Sequence, residues 1–220
     1  IVWNFGATSF NIGLPAGYST WKSEEPTTTP LTEKQPKKYF GIVKWTGNNT
    51  DNRDIGGLSF QPDFFWGKRY DSSGSHWLVD SARGPSYGLH SDTTGAWNDS
   101  TVWKQFNSDG IRIGTHVIAN ASGGSYIGYA WKAGGAPTAT KSAGAGNVPT
   151  SGSVMIDGVA STTALSGTIP VTKLTANTES GFSVATYVGN GASSASIDHG
   201  LGKKPEMVVT KRWGATSDSW

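Results

Sequence analysis

YFGIVKWTGNNTDNRDIGGLSFQPDFFWGKRYDSSGSHW, residues Tyr39 to Trp77, recurs in altered form as GFSVATYVGNGASSASIDHGLGKKPEMVVTKRWGATSDSW, residues Gly181 to Trp220. Phe40 matches Phe182, and Gly47-Asn48 matches Gly189-Asn190. After one inserted residue near Ile55 and Ile197, Leu58 matches Leu201, Pro62 matches Pro205, Lys68-Arg69 matches Lys211-Arg212 and Trp77 matches Trp220. The repeat sets the architecture before any single residue is interpreted. What persists between the copies is Gly-Asn turns, a Gly-Leu step, Pro, an apolar run, Lys-Arg and Trp. A strand–turn–strand scaffold needs those residues.

Composition points the same way. Only 35% of the 220 residues are apolar and 30 are glycine. Helix formers are scarce, while Gly, Ser, Thr and Asn abound, a profile of strands joined by many turns. Ten Trp, eight Phe and seven Tyr supply much of the burial. Eighteen basic residues stand against sixteen acidic ones, so no basic run marks a nucleic-acid surface. With no cysteine, disulfides and thiolate metal sites are excluded. No run approaches the ~18 apolar residues of a membrane span.

Outward from the repeat, residues 39–136 read as a first β-sandwich repeat, with strands at Phe40–Trp45, Phe64–Trp66, Ser75–Val79 and Ser125–Trp131. Trp103–Ile113 reads as a hairpin turning at Asn107-Ser108-Asp109-Gly110. Phe64-Phe65-Trp66 is expected to be buried on both faces, and Ser125–Trp131 to close the sheet. The spacing predicts an antiparallel β-sandwich of jelly-roll type with seven or eight strands, in an all-β chain. The longest helix expected is Thr101–Phe106.

Residues 137–176 are a Gly/Ala/Ser-rich connector that cannot bury a core alone, with Ser153–Val159 as a hairpin arm or a plain linker. Residues 177–220 start a second repeat. Residues 23–38, with Pro26, Pro30 and Pro36, form a semi-rigid linker. Both ends read as cut from a longer polypeptide.

Chemistry has few candidates. His76, His90, His116 and His199 lack metal-ligand spacing and read as turn or surface residues. Asp51-Asn52-Arg53-Asp54 is an oxygen-rich loop, either a solvated turn or a calcium site, but Arg53 sits inside it and the second copy has no carboxylate there. Asp63 and Asp80 lie beside aromatic strands; a glycosidase pair assembled from distant strands stays open. Asp63 is matched by Glu206, which favours a structural role, pairing with Lys68 or Arg69. No catalytic residue, cofactor or metal site is assigned. Trp97, in a polar context with no counterpart in the other copy, is the candidate ligand-binding residue, as a ring able to stack on a sugar.

Several blocks carry a family resemblance. They are Thr46-Gly47-Asn48, Gly57–Phe64 (GLSFQPDF), Trp66, Lys68, Leu78–Gly84 (LVDSARG), Phe106–Gly110 (FNSDG) and Ala130–Gly135 (AWKAGG). In this order they resemble an uncharacterised tandem β-domain family of phage, especially marine phage, and prophage virion proteins. Residues 1–22, through Asn4-Phe5-Gly6, Phe10, Pro15 and Gly17-Tyr18, resemble the C-terminal end of a SPRY or concanavalin-like lectin domain. The resemblance implies a structural or adhesive virion protein, part of a tail fibre or similar appendage for host attachment. A capsid-decorating or head-fibre protein, or a carbohydrate-binding module of a secreted protein, is the alternative. Its implied partners are other virion proteins, copies of itself (as a trimer) and a host surface glycan, with no nucleic acid and no membrane insertion. The implied location is the virion.

Overall fold

The alternation of large and small residues along Phe40–Thr46, Phe64–Arg69 and Ser125–Trp131 builds the largest sheet. The computed structural model describes residues 36–99 and 101–213, without the side chains of residues 96–98. The lectin-like end at residues 1–22, most of the linker at 23–38, and Trp220 lie outside the described residues.

After a 3-10 turn at Pro36–Lys38, nine strands follow: β1 (Phe40–Thr46), β2 (Arg53–Ile55), β3 (Phe64–Arg69), β4 (Trp77–Asp80), β5 (Gly84–His90), β6 (Ala96–Asn98), β7 (Trp103–Asn107), β8 (Gly110–Ile113) and β9 (Ser125–Trp131). They form a six-stranded antiparallel sheet, ordered β1-β9-β3-β4-β5-β6, facing a three-stranded one, β2-β8-β7. Val43, Trp45, Phe65, Trp77, Val79 and Tyr126 from the first sheet meet Ile55, Trp103, Phe106, Ile111 and Ile113 from the second in one core. Each large ring removes on the order of 150–250 Å² from water, so few residues suffice. The all-β sandwich and the hairpin at residues 103–113 stand as expected.

Three local readings are corrected. β9 does not close the sheet; it lies inside it, between β1 and β3. Its small residues Gly128 and Ala130 face inward, because a Cβ on Gly128 would lie 2.0 Å from Phe65 Cζ. β3 is buried on one face only: Phe65 is fully buried while Phe64 and Trp66 are half-exposed. The helix is not at Thr101–Phe106, which contributes β7, but is α1 (Val117–Asn120), entered through His116, whose side chain accepts from the Ile118 N–H. Buried Asn120 then holds the Gly47–Thr50 turn. Its Nδ2 donates to the carbonyls of Thr50 and Gly114 at 2.8 Å each, and its Oδ1 accepts from the Asn48 N–H at 3.0 Å.

The Gly-rich stretch at 137–176 carries three strands, β10 (Val154–Ile156), β11 (Val159–Ala160) and β12 (Val171–Asn177), and β13 (Phe182–Tyr187) follows. They form a four-stranded sheet ordered β11-β10-β12-β13, in which β10 and β12 run parallel. Its small core of Val154, Val171 and Leu174 is completed by Ala185 and Ile197 from the second copy. Ile156 and Leu165, within the stretch, pack on the same core.

Candidate functional site

Two surfaces gather chemistry-bearing side chains. The first is a groove of about 610 Å³ where the loop after β9 meets the loops of the four-stranded sheet. Asp63, just before β3, is almost fully buried in its wall. Its Oδ1 accepts from Ser81 Oγ at 2.7 Å. Its Oδ2 accepts from the N–H groups of Ala133, at 2.7 Å, and Gly135, at 3.1 Å. Burial pushes the Asp63 carboxyl up, against the pull of these donors and of Lys132. Neither Lys68 nor Arg69 is its partner: Lys68 donates to the Gly74 carbonyl and Arg69 pairs with Asp71. The reason is distance: five or six residues of extended strand, at about 3.3 Å each, put both cations roughly 17–20 Å from Asp63.

The next turn is fastened across the groove. Gly134 N–H donates to Thr175 Oγ1 at 2.8 Å, and Tyr39 Oη donates to Glu179 at 2.5 Å, a bond that raises the tyrosine pKa. Asp157 accepts from both the N–H and the hydroxyl of Thr178 at 2.7 Å. Beside the groove, Phe182 stacks on Trp131 (5.9 Å, 20°) and tilts against Phe64 (5.7 Å). Asp63 and Asp157 each serve as acceptors for loop N–H and hydroxyl groups. Each fixes its own loop, and the bonds from Gly134 to Thr175 and from Tyr39 to Glu179 join the two walls.

The second surface is the outer face of the six-stranded sheet. The register aligns Ile42, Tyr129 and Trp66 in one row and Lys44, Ile127 and Lys68 in the next. Ile42 is 51% exposed, and Trp66, Tyr129 and Ile127 are half-buried. Trp66 lies 6.3 Å from Tyr129 and 6.0 Å from His76. This is an apolar strip with lysines along one side.

The residues singled out in the sequence do not converge. Trp97 lies on β6, the edge strand, opposite Gly88; its side chain is outside the described set. Asp80 forms a buried ion pair with Arg83, Nε to Oδ2 at 2.6 Å, while its Oδ1 accepts the Arg83 N–H at 2.8 Å. The LVDSARG block is thus the β4–β5 corner. In the acidic loop, Asp54 takes both Arg112 Nε (2.7 Å) and Nη2 (2.9 Å), which together with Asn107 holds its carboxyl down to about 2. Asp51 pairs with Lys104 at 2.6 Å. Cations from β7 and β8 thus pair with both carboxylates of the loop. Among the described residues, no three His, Asp or Glu side chains gather as metal ligands.

The surface reading fails for His90, which is buried on β5 with its ring 4.4 Å from Trp77 and its pKa lowered by burial. Trp66 was concealed in the sequence by reading Phe64-Phe65-Trp66 as an all-buried run; the alternation of Ile127, Tyr129 and Trp131 was the signal for the face it shares. Nothing local announced the bond from Tyr39 to Glu179.

No curated protein and no solved structure matches the chain. A family of domains of unknown function matches it twice, over residues 35–158 and 154–220, as the two copies require. The chain belongs to this family, DUF7483.

Proposed function

We propose that the chain is a structural and adhesive segment of a phage virion appendage, of the tail-fibre kind, that serves host attachment. The observation that carries this reading is the tandem repeat joined by packed contacts. Phe182 on Trp131 and Phe64, and Tyr39 on Glu179, tie successive sheets together where a free linker would leave them independent. Tandem modules joined in this way make a long stiff object that presents its faces repeatedly. The virion assignment itself rests on the resemblance of the repeat blocks and of the lectin-like end. In this reading the chain assembles with copies of itself, as a trimer, and with other virion proteins. Gold-labelled antibody raised against residues 36–213 tests it on intact virions: label along the tail appendage supports it, label on the capsid moves the chain to a head fibre, and unlabelled virions that contain no such chain by mass spectrometry overturn it.

A second reading, glycan recognition, is favoured by the half-exposed Trp66 and Tyr129 on the outer face, since many pyranose rings offer a C–H face to an aromatic ring. Binding to host envelope polysaccharide that falls at least tenfold in Trp66→Ala or Trp97→Ala supports it. Binding unchanged in both variants refutes it.

A further inference from the structure

β1, β9 and β3 carry no acidic residue. The chain as a whole is nearly neutral, with eighteen basic residues against sixteen acidic ones, so these strands depart from it locally. β1 and β3 each place one lysine on the outer face, Lys44 and Lys68, on either side of Ile127. With strands about 4.8 Å apart, the two stems stand roughly 10 Å from each other. Lys44 is exposed. Lys68 donates one of its three hydrogens to the Gly74 carbonyl at 2.7 Å and keeps two. Among the described residues neither lysine is in an ion pair, while Arg69, the third cation of these strands, is neutralised by Asp71.

Along β3 the outward positions read Phe64, Trp66 and Lys68, and the alternation then reaches Tyr70. The Tyr70 N–H still donates to the Ser125 carbonyl at 3.0 Å, which extends the ladder one rung past the strand. Alternate residues of a strand lie about 6.6 Å apart, so Lys68 has an aromatic residue one step away on either side. Tyr70 is 58% exposed and Trp66 is half-buried. Tyr129 widens the surface beside Trp66, at 6.3 Å between rings. At the opposite end, Phe182 closes the strip by stacking on Trp131. Rings and cations thus share one open face.

The sandwich itself does not ask for them. Inward positions stay apolar between the copies, Val43 matching Ala185 and Phe65 matching Val208. On the outward side Lys44 is matched by Thr186 and Trp66 by Val209. The same scaffold is therefore written with and without this ring and this charge.

We propose that the outer face of the first repeat binds an acidic polysaccharide, a sugar chain bearing carboxylates. Trp66, Tyr129 and Tyr70 take pyranose C–H faces, and Lys44 and Lys68 take the carboxylates. The inference rests on the glycan reading of the same face and adds the charge of the ligand. A sugar seated on the rings displaces water from beside the lysines, and the lower local dielectric strengthens each ammonium–carboxylate contact. Single-stranded nucleic acid also stacks on rings between cations, but it is charged at every phosphate, and two lysines are few for it.

Calorimetric titration of the whole 220-residue chain tests the proposal with polygalacturonate, alginate and hyaluronate, each beside its methyl ester, which keeps the sugars and linkages and removes the charge. At least one acid form should bind at least tenfold more tightly than its ester, and its affinity should fall at least threefold when salt is raised to about 0.2 M. Lys44→Glu, at an exposed position, should weaken that binding at least tenfold with an unchanged melting point. Trp66→Ala should abolish it, and Tyr70→Ala, also at an exposed position, should weaken it at least threefold and covers the case in which loss of Trp66 unfolds the sheet. Acid and ester forms bound alike, and lost in Trp66→Ala or Tyr70→Ala, would overturn the charge assignment and leave glycan recognition standing. Failure of every acid form to bind would overturn the proposal, and Trp66-dependent binding to host envelope polysaccharide would then decide the glycan reading separately. Tighter binding of oligothymidylate that is lost in Lys44→Glu would give the face to single-stranded nucleic acid. Dimerisation that is lost in Trp66→Ala and that no polymer displaces would give it to a second copy. Either result overturns the proposal.

Discussion

Replacing Asp63 with alanine withdraws one acceptor pair from three donors at once: Ser81 Oγ and the N–H groups of Ala133 and Gly135. The serine hydroxyl can rotate to another acceptor; the two backbone groups cannot. A buried donor left without a partner costs about 1–3 kcal/mol, and water entering the adjoining groove recovers part of that, so Asp63→Ala should lose about 2–4 kcal/mol. For a chain of this size that is a melting point lower by roughly 5–15 °C.

Asp63→Asn is the discriminating variant. Its carbonyl can face the two N–H groups while its amide donates to Ser81, and the buried charge is gone. It should stay within about 1 kcal/mol of the parent at pH 7. The pH dependence gives a second readout. Burial raises the carboxyl above its unfolded value of about 3.9, so the stability linked to its proton is complete below that value and is lost as pH rises through the folded pKa. The asparagine variant lacks this decline. Urea titrations followed by tryptophan fluorescence at pH 3.5, 5 and 7 measure all three proteins. An alanine variant within 0.5 kcal/mol of the parent, or an asparagine variant as damaged as the alanine one, would refute the reasoning.

Gly128→Ala places a Cβ against the fully buried Phe65 ring and should cost about 1–3 kcal/mol, with Phe65→Leu restoring part of the loss in the double variant; thermal melts read both. Asp54 is held at about 2 chiefly by Arg112, so its contribution is present above the unfolded value of about 3.9 and is lost as pH falls through about 2. Asp54→Asn should lower stability at neutral pH and flatten the acid limb of a circular-dichroism titration. Phe182→Ala opens the contact with Trp131 and Phe64, and proteolysis within residues 132–150 should accelerate by about 5–30-fold, the effect of one to two kcal/mol.

The sheet strands were legible because their signal is local. Large–small alternation in residues 125–131 and the Asn107–Gly110 reversal depend on neighbours a few positions apart, and both appear where the pattern put them. What hid was set by partners far along the chain. Whether Phe64 and Trp66 are covered depends on what lies over the outer face, and their own alternation does not state it. The partner of Asp63 is a loop seventy positions away whose N–H groups carry no residue identity, while the lysine and arginine nearby in sequence were the visible alternatives. The strands at 154–177 hid in a glycine-rich composition because their small core is drawn from scattered positions, Val154, Ile156, Leu165, Val171 and Leu174. Trp97, chosen for its polar surroundings, lies on an edge strand, a placement those surroundings could not distinguish from a loop.

β1 and β9 run antiparallel with Phe40 opposite Trp131, so the chain enters and leaves the first sandwich at the same end of the same strand pair. Tension between the two neighbours of this module would therefore peel β1 from β9 one rung at a time, the weak direction for a sheet, rather than shear the whole ladder at once. The first rung to tear is the one clamped by Phe40, Trp131 and Phe182, with Asp63 gripping the loop just beyond it. The aromatic clasp between the copies is thus also a mechanical latch, and the pulling force at which the first sandwich opens is set by those rings and not by the core behind them.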